Sequence, residues 1–143
     1  MIVGFEDAFM DVQSEIISLC LEFLELTGQD ADEIYAYAYQ NEHETMFNAF
    51  FKKDDTILYP GKLGSEEQSD TFLHVGIEDV QKLAAVCKKY EHKCPNECKL
   101  TYHVTSKQFD AKYEYTDCVA ERGMSPVEVL MEWKKEIERG NPS

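Results

Sequence analysis

Apolar and polar residues alternate with period two across residues 98–117. Cys98, Leu100, Tyr102 and Val104 fall on one side, and Lys99, Thr101, His103 and Thr105 on the other. After Ser106-Lys107-Gln108 the alternation resumes, with Phe109, Ala111, Tyr113 and Tyr115 on the apolar side and Asp110, Lys112, Glu114 and Thr116 opposite. This is the signature of a half-buried antiparallel pair, and the polar break has hairpin length. The apolar row is assigned to the core. The outward row of Asp110, Lys112 and Glu114 carries mixed charge.

The rest of the chain arranges itself around this hairpin. Over residues 5–26, Phe5, Phe9, Val12, Ile16, Leu19 and Phe23 recur at spacings of three and four, with Ile17, Cys20, Leu21 and Leu24 widening the stripe. That predicts a helix lying flat on another layer, ended by Gly28 in a left-handed cap. Residues 33–40 read as a strand with Ile34, Ala36 and Ala38 on one side and Tyr35, Tyr37 and Tyr39 on the other. A second strand follows at 46–53, a tight turn at Asp54-Asp55, and a short third strand at 56–59 stopped by Pro60-Gly61. Residues 61–75 read as a Gly/Ser/acidic surface loop followed by the apolar pair Phe72-Leu73. A second helix is predicted at 77–91, with Ile77, Val80, Leu83, Ala84 and Cys87 on one face, and a loop at 118–124. Ser125-Pro126-Val127-Glu128 is a capping box with proline at the first helical position, which starts a third helix running to about Arg139 with Leu130, Trp133 and Ile137 inward.

The order α-βββ-α-ββ-α, with short connections and antiparallel hairpins, predicts an α+β fold: one antiparallel sheet, meander plus hairpin, packed with three helices. Residues 1–143 read as a single domain. The pattern leaves open whether the two strand groups share one sheet.

Composition adds a charge constraint. Asp and Glu number 28 against 14 Lys and Arg, a net charge of −14. Such a surface repels nucleic-acid phosphates and anionic lipid, so no nucleic-acid or membrane partner is expected, while a basic protein partner is suited to it. The start of the chain has no basic segment or cleavage site of a secretory signal. Together with an odd count of five cysteines, this leads us to expect free thiols in a reducing cytoplasm.

No constellation announces a reaction. His92, Cys94 and Cys98, with His103 farther on, form the most metal-like group. Their spacing matches no strong zinc pattern, and Cys98 and His103 are expected on opposite faces of one strand. Cys20 and Cys87 fall on apolar helix stripes and read as core. Carboxylate pairs such as Asp54-Asp55 and Glu66-Glu67 sit in predicted turns and loops, where solvated charge is the default. No cofactor and no metal are expected. The tyrosine row has two readings: a second buried face of a central strand, which is preferred, or an exposed aromatic stripe for a protein partner.

The strand texture resembles the YezG-like antitoxin and immunity-protein family of bacteria. The residues that carry the resemblance are the N-terminal amphipathic helix, the run from Glu33 to Ala38, Phe50-Phe51-Lys52-Lys53-Asp54, and Pro95-Asn96-Glu97-Cys98-Lys99-Leu100-Thr101-Tyr102. The strand from Lys107 to Tyr115 and Glu132-Trp133-Lys134 in the final segment complete it. The group at 92–98 lies outside the family pattern. Family members also carry more acids after the last aromatic strand, where this chain has Asp117 and Glu121 before Met124.

The resemblance implies a cytosolic, non-enzymatic protein that binds and neutralises a cognate secreted toxin, often a nuclease. Acidity then has a use, because an acidic inhibitor imitates the nucleic acid that a basic nuclease holds. Candidate partner-binding residues are Glu42 and Glu44 in the first turn, Asp54 and Asp55 in the second, and Glu66, Glu67 and Asp70 in the long loop, with Tyr35 and Tyr39 secondary. The alternative is a small-molecule-binding or enzymatic domain with a pocket between sheet and helices, using Tyr102, Tyr113, His74 or Cys94. A third reading is an adaptor that dimerises through Phe72-Leu73.

Overall fold

The structure, a computed structural model, describes residues 4–140. Helix α1 spans Phe5–Thr27. Strands β1 (Glu33–Gln40), β2 (Thr45–Lys53) and β3 (Thr56–Leu58) follow, then a single turn of helix α2 (Pro60–Leu63) and the long helix α3 (Glu66–Lys89). Strands β4 (Glu97–His103) and β5 (Gln108–Glu114), a short helix α4 (Cys118–Arg122) and helix α5 (Pro126–Glu138) complete the described chain. The α+β class and the meander-plus-hairpin sheet are as expected.

The meander and the hairpin join in one five-stranded sheet of order β3-β2-β1-β4-β5. The joint is the antiparallel pairing of β1 with β4, from Glu33 opposite His103 to Tyr39 opposite Glu97. β1 therefore lies at the centre with a partner on each side, and both of its faces are covered. On one face Ile34, Ala36 and Ala38 pack with Phe47, Ala49, Phe51, Cys98 and Leu100 beneath α1 and α3. On the other, Tyr35, Tyr37, Tyr39 and Phe50 pack beneath α5, against Val129, Leu130, Trp133 and Ile137. The molecule is a three-layer stack, α1 and α3 over the sheet over α5.

The tyrosine row is thus the second buried face. Tyr35 and Tyr39 are 4% and 0% exposed, so neither offers a surface to a partner. Their rings fill the space under α5, with Trp133 edge-on to Tyr35 at 5.6 Å and to Phe50 at 5.2 Å. The capping box that opens α5 forms in both directions, Ser125 Oγ accepting from the Glu128 N–H and the Glu128 carboxylate from the Ser125 N–H.

The largest departure from the sequence pattern is α3. The stretch expected as a loop at 61–75 is helical, because Ser65 and Gln68 make a second reciprocal capping box. The apolar period was hidden there because Ser69 occupies a buried position on the stripe and Gly76 interrupts it. Gly76 is required by packing: a Cβ at that position would lie 2.0 Å from Phe47 Cδ2. A smaller departure is α4, expected as loop and capped by the Asp117 carboxylate on the Val119 N–H.

The hairpin has the expected facing, with Leu100 opposite Ala111 and Tyr102 opposite Phe109. Its outer end differs. β5 is an edge strand, and Tyr113 and Tyr115 at its outer end are 40% and 37% exposed. Tyr113 lies edge-on to Phe9, and its hydroxyl donates to Gln13 Oε1 on α1 at 2.9 Å.

Candidate functional site

Polar side chains on the tyrosine side of the sheet form a structural network. Tyr37 donates to Glu97 Oε2 at 2.6 Å, and Arg122 Nη2 lies 3.3 Å from Glu97 Oε1. Tyr39 donates to Asp117 Oδ1 at 2.7 Å. Tyr35 donates to Glu33 Oε1, and the other Glu33 oxygen lies 2.8 Å from His103 Nδ1. Each hydroxyl of the row meets a carboxylate at the rim of the core, which satisfies a buried polar group. Burial, and then the neighbouring carboxylate, pushes all three tyrosines well above the ordinary phenol range. These hydroxyls are poor acids and hold α4 and the β1–β2 turn to the sheet.

The space between sheet and helices, where an enclosed substrate would sit, contains a void of about 10 Å³ lined in part by Cys94, Cys98 and Pro95. That is room for one water. Cys87, Cys94 and Cys98 lie together beside it, and burial raises all three thiols. All five cysteines are free. Among the described residues no group of His, Cys, Asp and Glu is arranged to hold a metal. Cys98 faces the α1/α3 core while His103 faces Glu33 on the other side of β4. His92 is stacked on Phe5 at 3.9 Å.

The acids singled out from sequence separate into three places. Glu42 and Glu44 are exposed on the β1–β2 turn, which Asn41 braces by accepting from the His43 and Glu44 N–H groups. Asp54 and Asp55 lie beyond the other end of β2, about 30 Å away for a nine-residue strand. Both have positive φ, 48° and 65°, and sit beside cations. Lys52 lies 3.8 Å from Asp55, while Lys53 lies 3.2 Å from Asp30 and 3.8 Å from Asp32. Glu66, Glu67 and Asp70 are exposed on the first turns of α3, where carboxylates suit the helix N-terminus.

The third group belongs to a larger acidic surface that the turn-based reading missed. Helix α1 carries Glu6, Asp7, Asp11, Glu15, Glu22 and Glu25, with no lysine or arginine. Helix α3 carries Glu66, Glu67, Asp70, Glu78 and Asp79 before its first lysine, Lys82. The two helices lie side by side and antiparallel: Phe5 meets Tyr90 at one end, and Thr27 meets Gly64 at the other. Lys82 pairs with Glu15 and Asp79 at 3.5 Å each. No lysine or arginine among the described residues reaches Glu22, Glu25, Glu66, Glu67 or Asp70.

Elsewhere charge is mixed. β4 and β5 carry Lys99, His103 and Lys112 beside Asp110 and Glu114, and α5 interleaves Lys134 and Lys135 with its glutamates. The acidity of the composition is therefore concentrated on one layer. No helix among the described residues is long and apolar enough to cross a membrane. Compared with known proteins, the chain matches no family model, and no curated protein matches it significantly.

Proposed function

We propose that this chain is an immunity protein that binds and neutralises a cognate secreted bacterial toxin, a basic nuclease domain, through the acidic face of α1 and the first half of α3. The observation that carries this reading is the one-sidedness of the charge. Six acids on α1 face solvent or the flank of α3 without a single basic residue on their own helix. Self-repulsion of this kind destabilises a chain standing alone, and a basic partner relieves it. The resemblance in element order and strand texture supplies the class of partner.

A nuclease must hold phosphates on a positive surface, so a negative helical layer competes for that surface and obstructs the substrate groove. Complementary potentials also raise the encounter rate, to roughly 10⁸–10⁹ M⁻¹s⁻¹ at low salt against roughly 10⁵–10⁶ M⁻¹s⁻¹ for uncharged partners. Inhibition by occupancy needs no catalytic residue. It does need a rigid surface, and the covered sheet behind α1 and α3 supplies one.

The proposal requires that a neighbouring reading frame encode a large secreted protein with a basic C-terminal domain, and the test is co-expression with that domain. The expected result is restored growth and co-elution of the two proteins in gel filtration. Continued toxicity together with separate elution would reject the proposal.

A further inference from the structure

At the end of the helical layer where α1 stops and α3 begins, the two helices leave an open groove of about 740 Å³ between them. Its floor and walls are Leu19, Phe23 and Leu26 from α1 and Phe72 and Val75 from α3. Glu22, Glu25 and Glu67 line it alongside these apolar groups. We infer that this groove receives a basic amphipathic helix of the partner, with its apolar stripe on the floor and its lysines or arginines against the three glutamates. The inference rests on the immunity reading for the source of that helix, and on the groove itself for its form.

Two features point to the occupant. Leu26 is 67% exposed at the last turn of α1, beside the half-buried Leu19 and Val75 and over Phe23 and Phe72, which are already buried. The charge is also unfavourable when the groove is empty. Glu25 sits in the last turn of α1, where the helix dipole is negative, and that turn has no basic residue. A cation brought by a partner would correct both that contact and the unpaired Glu22 and Glu67. A second copy of this chain would bring acid to acid, and an anionic membrane would do the same, so neither suits the site.

The geometry selects a helix over an extended segment. In α1 the wall follows 19, 22, 23 and 26, and in α3 it follows 67, 68, 71, 72 and 75, both at helical spacing. These stretches lie inside their helices, where backbone groups are bonded along the helix, so a strand laid on them would find no ladder partners. A helix arrives with its own backbone satisfied and needs only side chains for the floor and rim, the usual helix-in-groove mode.

The experiment uses the full chain and a fluorescein-labelled peptide of leucine and lysine with one leucine stripe at helical spacing, followed by anisotropy. A scrambled peptide of the same composition is the comparison. The amphipathic peptide is expected to bind at least about tenfold tighter than the scramble. The double variant E25K/E67K should weaken it at least about tenfold, while E121K/E132K, with the same charge change on α4 and α5, should cost less than about threefold. Leu26→Asp, at an exposed position that leaves the core intact, should weaken it as well. Equal binding of the scramble, absence of binding, or equal losses from the two double variants would each overturn the groove. Growth rescue separates this from the immunity reading: full rescue by E25K/E67K removes the groove and leaves the inhibitor, whereas peptide binding without rescue by the parent chain leaves the groove and removes the toxin.

Discussion

Asp117 is a single residue that ties three segments together. Its carboxylate accepts from the Tyr39 hydroxyl at 2.7 Å, the Asn41 amide at 3.1 Å and the Val119 N–H at 3.0 Å. The Tyr39 bond above all, with Asn41 and Val119 adding to it, holds its pKa below the ordinary carboxylate value. A depressed folded-state pKa gives stability that is fully present above the unfolded value of about 3.9 and is lost as pH falls through the folded one. Asp117→Asn should therefore melt below the parent at pH 7, and the difference should narrow as pH falls below about 4, read by thermal melts across pH. A gap that stays constant to low pH would contradict this role. The thiols give a second prediction at this scale. Burial pushes Cys98 up to about 12 and Cys118 up to about 11. At pH 8 about one Cys118 thiol in a thousand is ionised, against roughly one in four for a free cysteine. Alkylation of the native chain by iodoacetamide should be at least about 100-fold slower than that of free cysteine, with all five thiols reacting in guanidinium. One thiol reacting at the free rate would revive a nucleophilic role. Residue parity in the strands was legible from sequence, down to Cys98 and His103 on opposite faces. The Asp117 cluster was not, because it joins positions separated by 78 residues.

At the scale of elements, α3 separates what pattern reveals from what packing decides. Its C-terminal half has an apolar stripe and was legible. Its N-terminal half is polar on the outside, carries Ser69 on the inside, and has Gly76 where α3 crosses β2. A glycine in mid-helix reads as a break from sequence alone, whereas here it lets the backbone of α3 come down onto the Phe47 ring. Gly76→Ala should destabilise the protein by about 1–3 kcal/mol in urea unfolding. Combined with Phe47→Ala it should cost less than the sum of the two single changes, since the clash is then absent. Helix α1 makes the opposite prediction. Glu25→Lys replaces an anion with a cation at the negative end of the dipole and should raise stability by about 0.3–1 kcal/mol. If the same change weakens partner binding, the free chain is keeping an unfavourable charge for the sake of its partner, the usual sign of a stability–function trade-off. The candidate surface was only partly legible for the same reason. Glu66, Glu67 and Asp70 stood out as a charge run, while Glu22 and Glu25 lie in a helix whose apolar stripe dominates its pattern.

At the scale of the molecule, the three layers differ in charge more than in shape. The sheet and α5 carry mixed charge, and the α1/α3 layer is negative along most of its length. Fold class and element order were legible because the two periodicities are clean. The joining of meander and hairpin was not, since no local signal says that β1 will pair with a strand 60 residues away. The charge layout makes a kinetic prediction for the proposed complex with a basic domain. Raising ionic strength shortens the screening length from about 10 Å at 0.1 M to about 3 Å at 1 M, so the association rate measured by stopped flow should fall at least about tenfold over that range while dissociation changes less. A rate insensitive to salt would place the contact elsewhere.

The β1–β4 pairing also has a consequence for how the protein comes into being. On the ribosome the chain emerges from its N-terminus, so α1 and the meander leave it before β4 does. During that interval β1 has β2 on one side and an open edge on the other, a row of backbone donors and acceptors flanked by alanine and tyrosine. Newly made chains therefore carry an open edge on the central strand, whereas finished ones keep only the edges of β3 and β5. A pause while β4 is still inside the ribosome should therefore lower the yield of native protein more than a pause after β5 has emerged.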